Sequence, residues 1–509
     1  MVKERAKAQP LSSVPWHVPA IAVFSVLALL ANNIDQIDPA SALPPIGQSI
    51  AGAGLLLLLA WLWLRSWQRA ALVASILLVL FFSYGHVYTF LKAVTISGFY
   101  PFRHRTLGVL WIAMAGLGVW WASRRRPEIS RLTQALNVVS LALLILPVFQ
   151  IGSGLWRHWR AWERSQAEAG AAAAPGESLA GKAAPDIYYI ILDGYSRADI
   201  LEKLSGYDNS AFLASLEQMG FYVARCSQSN YAQTELSLAS TLNYDYLEAL
   251  GDSFGPDSPD RSPLWPLIRN GAVRRTLEGR GYTVIAFRTG FDWTEWTDAD
   301  LFLGPQLSPW QLDAFQYLWL QTTAARILLD AEALRMVQRP EDLSRNRTAY
   351  DLQELVKIPS MPGPKFVFAH LIIPHVPYVF GPNGEPVLIP SDAPRDQAMQ
   401  GYVNQVIYIN KKMLEILPAI IRDSPVPPVI IVQGDHGIGG SPERMANLSA
   451  VYLPGQDGRL YPEMTNVNTF RVVLSEVFGD DLPILKDVSL FSDYYHPYRF
   501  HEVQNDCAP

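Results

Sequence analysis

The chain has 509 residues, 50% of them hydrophobic, with a formal charge of -6 and only two cysteines. It is too long for one ordinary domain and too apolar for an ordinary soluble enzyme. An acidic balance with no basic stripe to neutralise phosphates excludes a nucleic-acid partner.

The apolar excess is uneven. Before about Gln150 it comes in bilayer-length blocks, and after Pro185 in strand- and helix-sized pieces. Five transmembrane helices are predicted, at 14–31, 43–64, 70–91, 106–122 and 132–151. The first follows Lys3, Arg5 and Lys7 and is soon joined by others, so it reads as a retained span and not a cleaved signal. Arg65 and Arg69 lie between spans two and three, and Arg124, Arg125, Arg126 and Arg131 between four and five, while the loop after span one carries Asp35 and Asp38. This charge asymmetry puts the amino terminus in the cytoplasm and, after five crossings, the rest of the chain outside. Arg157, Arg160 and Arg164 with Trp156, Trp159 and Trp162 read as an interfacial anchor helix. Ala167–Ala184 has little bulk to bury and reads as a linker. The expected division is therefore a transmembrane domain over 1–155, an interfacial helix and linker over 156–184, and an external catalytic domain over 185–509. Cys226 and Cys507 both fall in the external part, where pairing is allowed but is not set by their spacing.

From Pro185 onward, strand-like runs at Ile187–Leu192, Phe221–Ala224, Thr283–Phe287, Phe366–Ala369 and Val429–Val432 alternate with helical stretches such as Asn209–Met219 and Gln397–Leu417. That alternation predicts an α/β domain with a mostly parallel sheet covered by helices on both faces.

Two apolar strands end on a carboxylate at a glycine turn: Ile187–Leu192 runs into Asp193-Gly194, and Val429–Val432 into Gln433-Gly434-Asp435-His436-Gly437. Open α/β sheets keep their chemistry at the carboxyl ends of strands, so the two turns point to one shared site. Two carboxylates and a neutral imidazole suit one divalent cation of intermediate hardness, Mn2+ or Zn2+ before Mg2+, and not calcium. In Ser229-Asn230-Tyr231-Ala232-Gln233-Thr234, a helix starts near Thr234, whose hydroxyl is either an N-cap or a nucleophile at the positive helix terminus. A further strand ends at His370, and His375 follows between Pro374 and Pro377, which stiffen the loop and can aim an imidazole as proton donor or ligand.

Strand-Asp-Gly, Asn-Tyr…Thr at a helix start, His-x4-His-x-Pro and Gly-Asp-His-Gly, in this order, resemble the alkaline phosphatase/sulfatase superfamily over about 185–478. Within it the chain is most similar to the membrane-anchored branch of lipoteichoic acid synthases and phosphoethanolamine transferases. The resemblance implies an alkaline-phosphatase-like external domain in a bacterial-type inner membrane. It implies a metal held by Asp193, Thr234, Asp435 and His436, with Thr234 as nucleophile. His375 would contact the substrate or protonate the leaving group, with His370 beside it, and Arg288, Asp292 and Trp296 would line the substrate side. Val467-Asn468-Thr469-Phe470-Arg471 is similar to a late structural segment of related membrane proteins. The implied activity is phosphoryl-group transfer or phosphodiester hydrolysis on phospholipid headgroups or lipid-linked, phosphorylated envelope glycans. The alternatives are hydrolysis of another ester and a non-catalytic envelope scaffold.

Two departures stand out. The anchored transferases carry Glu where this chain has Asp193, and Leu448 stands near where the phosphoethanolamine transferases place a further histidine, so one firm metal is expected and not two. Sulfatases of the superfamily need Cys or Ser in a Cys/Ser-x-Pro-x-Arg context, whereas Cys226 is followed by Ser227-Gln228-Ser229-Asn230.

Overall fold

The computed structural model describes residues 14–35, 37–96, 99–124, 129–172, 184–248, 255–306, 312–331, 339–390, 393–455 and 458–507. Lys3, Arg5, Lys7, Arg125, Arg126 and most of the expected linker lie outside the described residues. The chain divides into two compact units, 1–156 with 308–340, and 157–307 with 341–509.

The first unit is helical: α1 (His17–Asn33), α2 (Leu43–Leu64), α3 (Trp67–Leu91), α4 (His104–Ser123) and α5 (Ile129–Ala172). Each expected span coincides with one of them. Among the described residues, four helices are long and apolar enough to cross a membrane, over Pro39–Leu64, Trp67–Leu91, His104–Ser123 and Ile129–Arg160, while α1 is shorter at 17 residues. Many large apolar side chains on these helices face outward, Val109, Ile112, Ile145 and Phe149 among them, as lipid-facing residues must. The stretch expected to start an interfacial helix at 156 is continuous with the last span: α5 runs on to Ala172 as one helix of 44 residues with Pro147 inside it. The helix-forming run Arg-Ala-Trp-Glu-Arg contains neither glycine nor proline, so nothing stops the turn after the apolar block ends.

Two short helices outside the amino-terminal region also belong to this unit, α6 (Ala314–Thr322) and α7 (Arg326–Asp330). Phe315 and Trp319 bury against Val26, Leu30, Ile34 and Ala42. Gly85 of α3 lets the chain in: a Cβ there would fall 2.1 Å from the Gln321 carbonyl. Arg326 donates to Thr89 Oγ1 at 2.6 Å and pairs with Asp330, which also meets His104 at 2.9 Å.

The second unit is built on a seven-stranded sheet of β1 (Ile187–Leu192), β2 (Tyr222–Val223), β3 (Thr283–Phe287), β4 (Leu301–Leu303), β5 (Lys365–Leu371), β6 (Val429–Gln433) and β7 (Ser449–Tyr452), in the order β2-β7-β6-β1-β5-β3-β4. β1 runs parallel to β5 and β6, and β3 parallel to β4 and β5; β7 is antiparallel to β6 and β2. All six residues of β1 are buried, which a strand needs helices on both faces to achieve. Tyr189 and Ile191 join one core with α8 (Thr234–Asn243) and α11 (Asn466–Phe478). Tyr188, Ile190 and Leu192 join the other with α9 (Pro340–Leu355) and α10 (Arg395–Asp423). A small hairpin, β8 (Ser489–Phe491) with β9 (His501–Val503), follows, and a disulfide joins Cys226 to Cys507. Central β1, flanked by β5 and β6, delivers its carboxyl end beside theirs, and that edge carries the site.

Candidate metal centre

β1 stops because Gly194 takes φ +71°, a left-handed conformation that suits glycine. The Asp193 amide donates to the Leu371 carbonyl at 3.0 Å, which keeps the turn level with the end of β5. At the end of β6, Gly434 has no room for a side chain: a Cβ would stand 2.5 Å from the Tyr195 carbonyl. The Gly194 amide then donates to Asp435 Oδ1 at 2.9 Å, so the first turn orients the acid of the second.

Asp193, Asp435 and His436 are 4%, 0% and 1% exposed, and a ligand atom from each lies within 4.8 Å of the others. Asp193 Oδ1 and Asp435 Oδ2 are buried with no hydrogen-bond partner. Buried carboxylate oxygens without donors are costly, and a cation is the partner that such a pair fits. His436 Nδ1 donates to the Gly437 carbonyl at 2.8 Å, which fixes the tautomer and turns the Nε2 lone pair inward. Burial pushes this imidazole below its ordinary pKa and keeps it neutral, the form that ligates. Burial alone would raise the Asp193 carboxyl, but the imidazoles of His375, His370 and His436 outweigh it and hold the acid well below the usual carboxylate range. The donor set of two carboxylates and a neutral imidazole therefore fits a divalent cation.

Thr234 is the first residue of α8, and the cap position before it belongs to Gln233, whose side chain makes no cap bond. The threonine hydroxyl instead lies 3.2 Å from His436 Nε2. His370 is 1% exposed, with Nε2 3.2 Å from Asp193 Oδ2, so its place is behind the acid. His375 is half-buried; its Nδ1 donates to the Val376 carbonyl at 2.8 Å, and its ring lies over Gly194, as does that of His436. These six residues come together. Arg288 sits beyond β3 over the Phe302 ring, and Asp292 opens a short turn. Trp296 is fully buried, stacked on Phe368 at 4.1 Å in the core, and the Trp293 ring lies 6.4 Å from that of His370.

Several supporting residues carried no signal in the sequence. Arg444 Nη2 donates to His436 Nε2 at 3.1 Å. Ser237 Oγ donates to the Asp435 carbonyl at 2.7 Å, Tyr402 Oη to the Gly194 carbonyl at 2.9 Å, and Asn447 and Asn466 donate to the Gly434 carbonyl. Each stands alone in a loop or on a helix face, with no periodicity or paired motif to mark it.

No protein-family model matches the chain, and no curated protein matches it. Among solved structures it is similar to the C-terminal periplasmic domain of EcEptC from Escherichia coli, at 12% identity over 64% of this chain and 94% of that one, with a TM-score of 0.40. It is similar to the integral membrane lipooligosaccharide phosphoethanolamine transferase A (EptA) from Neisseria meningitidis, at 13% identity over 91% of this chain and 95% of that one, with a TM-score of 0.38. The periplasmic domain of phosphoethanolamine transferase EptC from Campylobacter jejuni matches at 12% identity over 59% of this chain and 92% of that one, with a TM-score of 0.37. Phosphoethanolamine transferases are thus among the solved structures that this chain is similar to.

Proposed function

We propose that the chain is a membrane-anchored, metal-dependent phosphotransferase or phosphodiesterase. It acts on a phospholipid headgroup or a lipid-linked, phosphorylated envelope glycan through a covalent phospho-threonine. The observation that carries this reading is the convergence of the Thr234 hydroxyl on His436 Nε2 beside two buried, unpartnered carboxylate oxygens. A chain with four bilayer-length helices among its described residues brings such a site to lipid substrates by raising their local concentration.

Asp193, Asp435, His436 and the Thr234 oxygen would hold the divalent metal, which when bound lowers the hydroxyl pKa and neutralises phosphate charge. The Thr234 hydroxyl loses its proton to water and Oγ1 attacks phosphorus; the new Oγ–P bond forms as the P–O bond to the leaving alkoxide breaks, and the threonine regains a proton from water when the intermediate is resolved. The unpaired amides of the first turn of α8 face the anion with the positive end of the helix. His375, the accessible imidazole over Gly194, gives the leaving oxygen its proton and then takes one from water or an acceptor hydroxyl as the phospho-threonine is resolved. His370, behind Asp193, keeps that carboxylate oriented. The globular unit faces the periplasm or exterior, a placement supported by the charge asymmetry of the loops and by the Cys226–Cys507 disulfide.

The test is incubation of the full-length protein in its membrane with headgroup-labelled phospholipids, followed by rapid acid quench. A labelled enzyme is expected from the wild type and none from Thr234→Ala. Label that persists in the variant would move the nucleophile elsewhere.

A further inference from the structure

Arg444 lies on the short turn Glu443–Met445, and both ends of this residue are tied to the centre. Its amide donates to the Gly440 carbonyl and its carbonyl accepts from Gly437, each at 2.8 Å, so its backbone is part of the Asp-His-Gly loop. Its Nε donates to the carbonyl of Ala232 at 2.6 Å, in the loop that leads to Thr234. Its Nη2 reaches His436 Nε2 at 3.1 Å, and the Thr234 hydroxyl reaches the same nitrogen at 3.2 Å. No carboxylate pairs with this half-buried guanidinium among the described residues.

His436 Nδ1 carries the proton given to Gly437, so Nε2 has one lone pair. A metal on that lone pair and a guanidinium N–H on it exclude each other. Once His436 is committed to a metal, Nη2 must let go, while Nε stays anchored on Ala232. The guanidinium then still faces the reacting hydroxyl, with donors to spare in the fork geometry that suits phosphate oxygens. Charge points the same way: a divalent ion cancels the two aspartates, and the phosphodiester's own charge is left for a fixed cation to meet.

We propose that Arg444 is a phosphoryl-oxygen ligand, holding a non-bridging oxygen of the substrate phosphodiester and of the phospho-threonine through its Nη groups. The proposal rests on the reading of the site given above. It assigns the cation that faces the phosphoryl group to the part of the Asp-His-Gly loop that lies beyond the motif itself.

The test uses full-length protein in detergent, loaded with Mn2+ or Zn2+, as wild type, Arg444→Ala and Arg444→Lys. Calorimetry measures metal affinity first and orthovanadate affinity of the metal-loaded protein second. Losing a charge-assisted, two-pronged contact should weaken vanadate binding by about tenfold or more in Arg444→Ala, with part recovered in Arg444→Lys. Metal affinity in the alanine variant should equal or exceed that of the wild type, because a competitor for His436 Nε2 is gone. Vanadate affinity within about threefold of wild type would overturn the role, and so would a loss of metal affinity as large as the loss of vanadate affinity. If the alanine variant does not fold, Arg444→Lys decides, since lysine cannot hold Ala232 and a phosphoryl oxygen at once; unchanged vanadate binding there sinks the proposal. A wild type that takes metal but no vanadate would remove the proposed function itself, whereas a wild type and Arg444→Ala that bind both equally would remove only this role.

Discussion

A buried charge at the centre has a partner waiting for it, but one elsewhere in the same unit does not. Asp351, on α9, has a buried Oδ1 with no hydrogen-bond partner. Burial pushes its carboxyl well above the usual range, and the nearby Arg347 offsets this only in part. A raised carboxyl holds its proton in the folded state at a pH where the unfolded chain has already lost it. Stability from this group is therefore full below the unfolded value of about 3.9 and falls as pH rises toward the folded value. Asp351→Asn keeps the neutral shape at every pH. Thermal unfolding of the full-length protein should show the two proteins close together near about pH 4.5 and the variant higher by a few degrees near about pH 8. Curves that stay parallel across that range would show that the acid is ionised in place. By contrast, Asp193 is pulled down by three imidazoles, so the fold treats these two buried acids in opposite ways.

Among the elements, the one that positions Thr234 is irregular. The loop before α8 is held from several directions: Cys226 by its disulfide, the Ser229 amide on the Met445 carbonyl at 2.7 Å, and Gln233 Nε2 on the Asp493 carbonyl at 2.9 Å. Asn230 is its hub. Its Oδ1 accepts from the Val467 amide at 2.7 Å, and its Nδ2 donates to Thr465 Oγ1 at 3.0 Å and the Val488 carbonyl at 2.9 Å. Asn230→Ala leaves these buried groups without partners, so a loss of about 2–4 kcal/mol is expected, read as a lowered unfolding midpoint together with weaker metal binding. Unchanged metal affinity would show that the loop keeps Thr234 in place without its hub.

The regular elements were legible in the sequence where an apolar run was long enough to show its period. Ile187–Leu192 and Thr283–Phe287 were predicted to the residue, and the two carboxylate turns at Asp193 and Asp435 with them. β4 and β7, three and four residues long, are too short to carry a period, and β7 is the strand that makes the sheet mixed. Asn-Tyr was visible as a motif, but its partners in the Thr465–Val467 and Val488 segments could not be, because hydrogen bonds to distant backbone leave no local pattern. For the same reason nothing in the sequence singles out Arg444, whose partners His436 and Ala232 are set by the fold.

For the whole molecule, sidedness has a chemical signature. The two cysteines are both in the globular unit and are joined across 281 residues. If that unit folds on the oxidising side of the membrane, protein extracted with thiol-blocking reagent and then unfolded should show no free thiols until it is reduced, after which it should show two. Two blocked thiols before reduction would place the unit in the cytoplasm and reverse the orientation drawn from the loop charges.

The allocation of 308–340 to the helical unit also bears on how the protein can be handled. The chain passes between its units after 156, after 307 and after 340, so no single cut separates them. A fragment starting at Pro185, the obvious choice for a soluble preparation, would carry α6 with Phe315 and Trp319 stripped of the four apolar residues that bury them. Such a fragment is expected to aggregate at concentrations where the same fragment lacking 308–340, closed by a short Gly/Ser bridge, stays monodisperse by light scattering. Solubility of the uncut fragment would show that this segment can find cover within the globular part alone. Separating the globular unit from the helical one is thus an excision to be made at three places and not one.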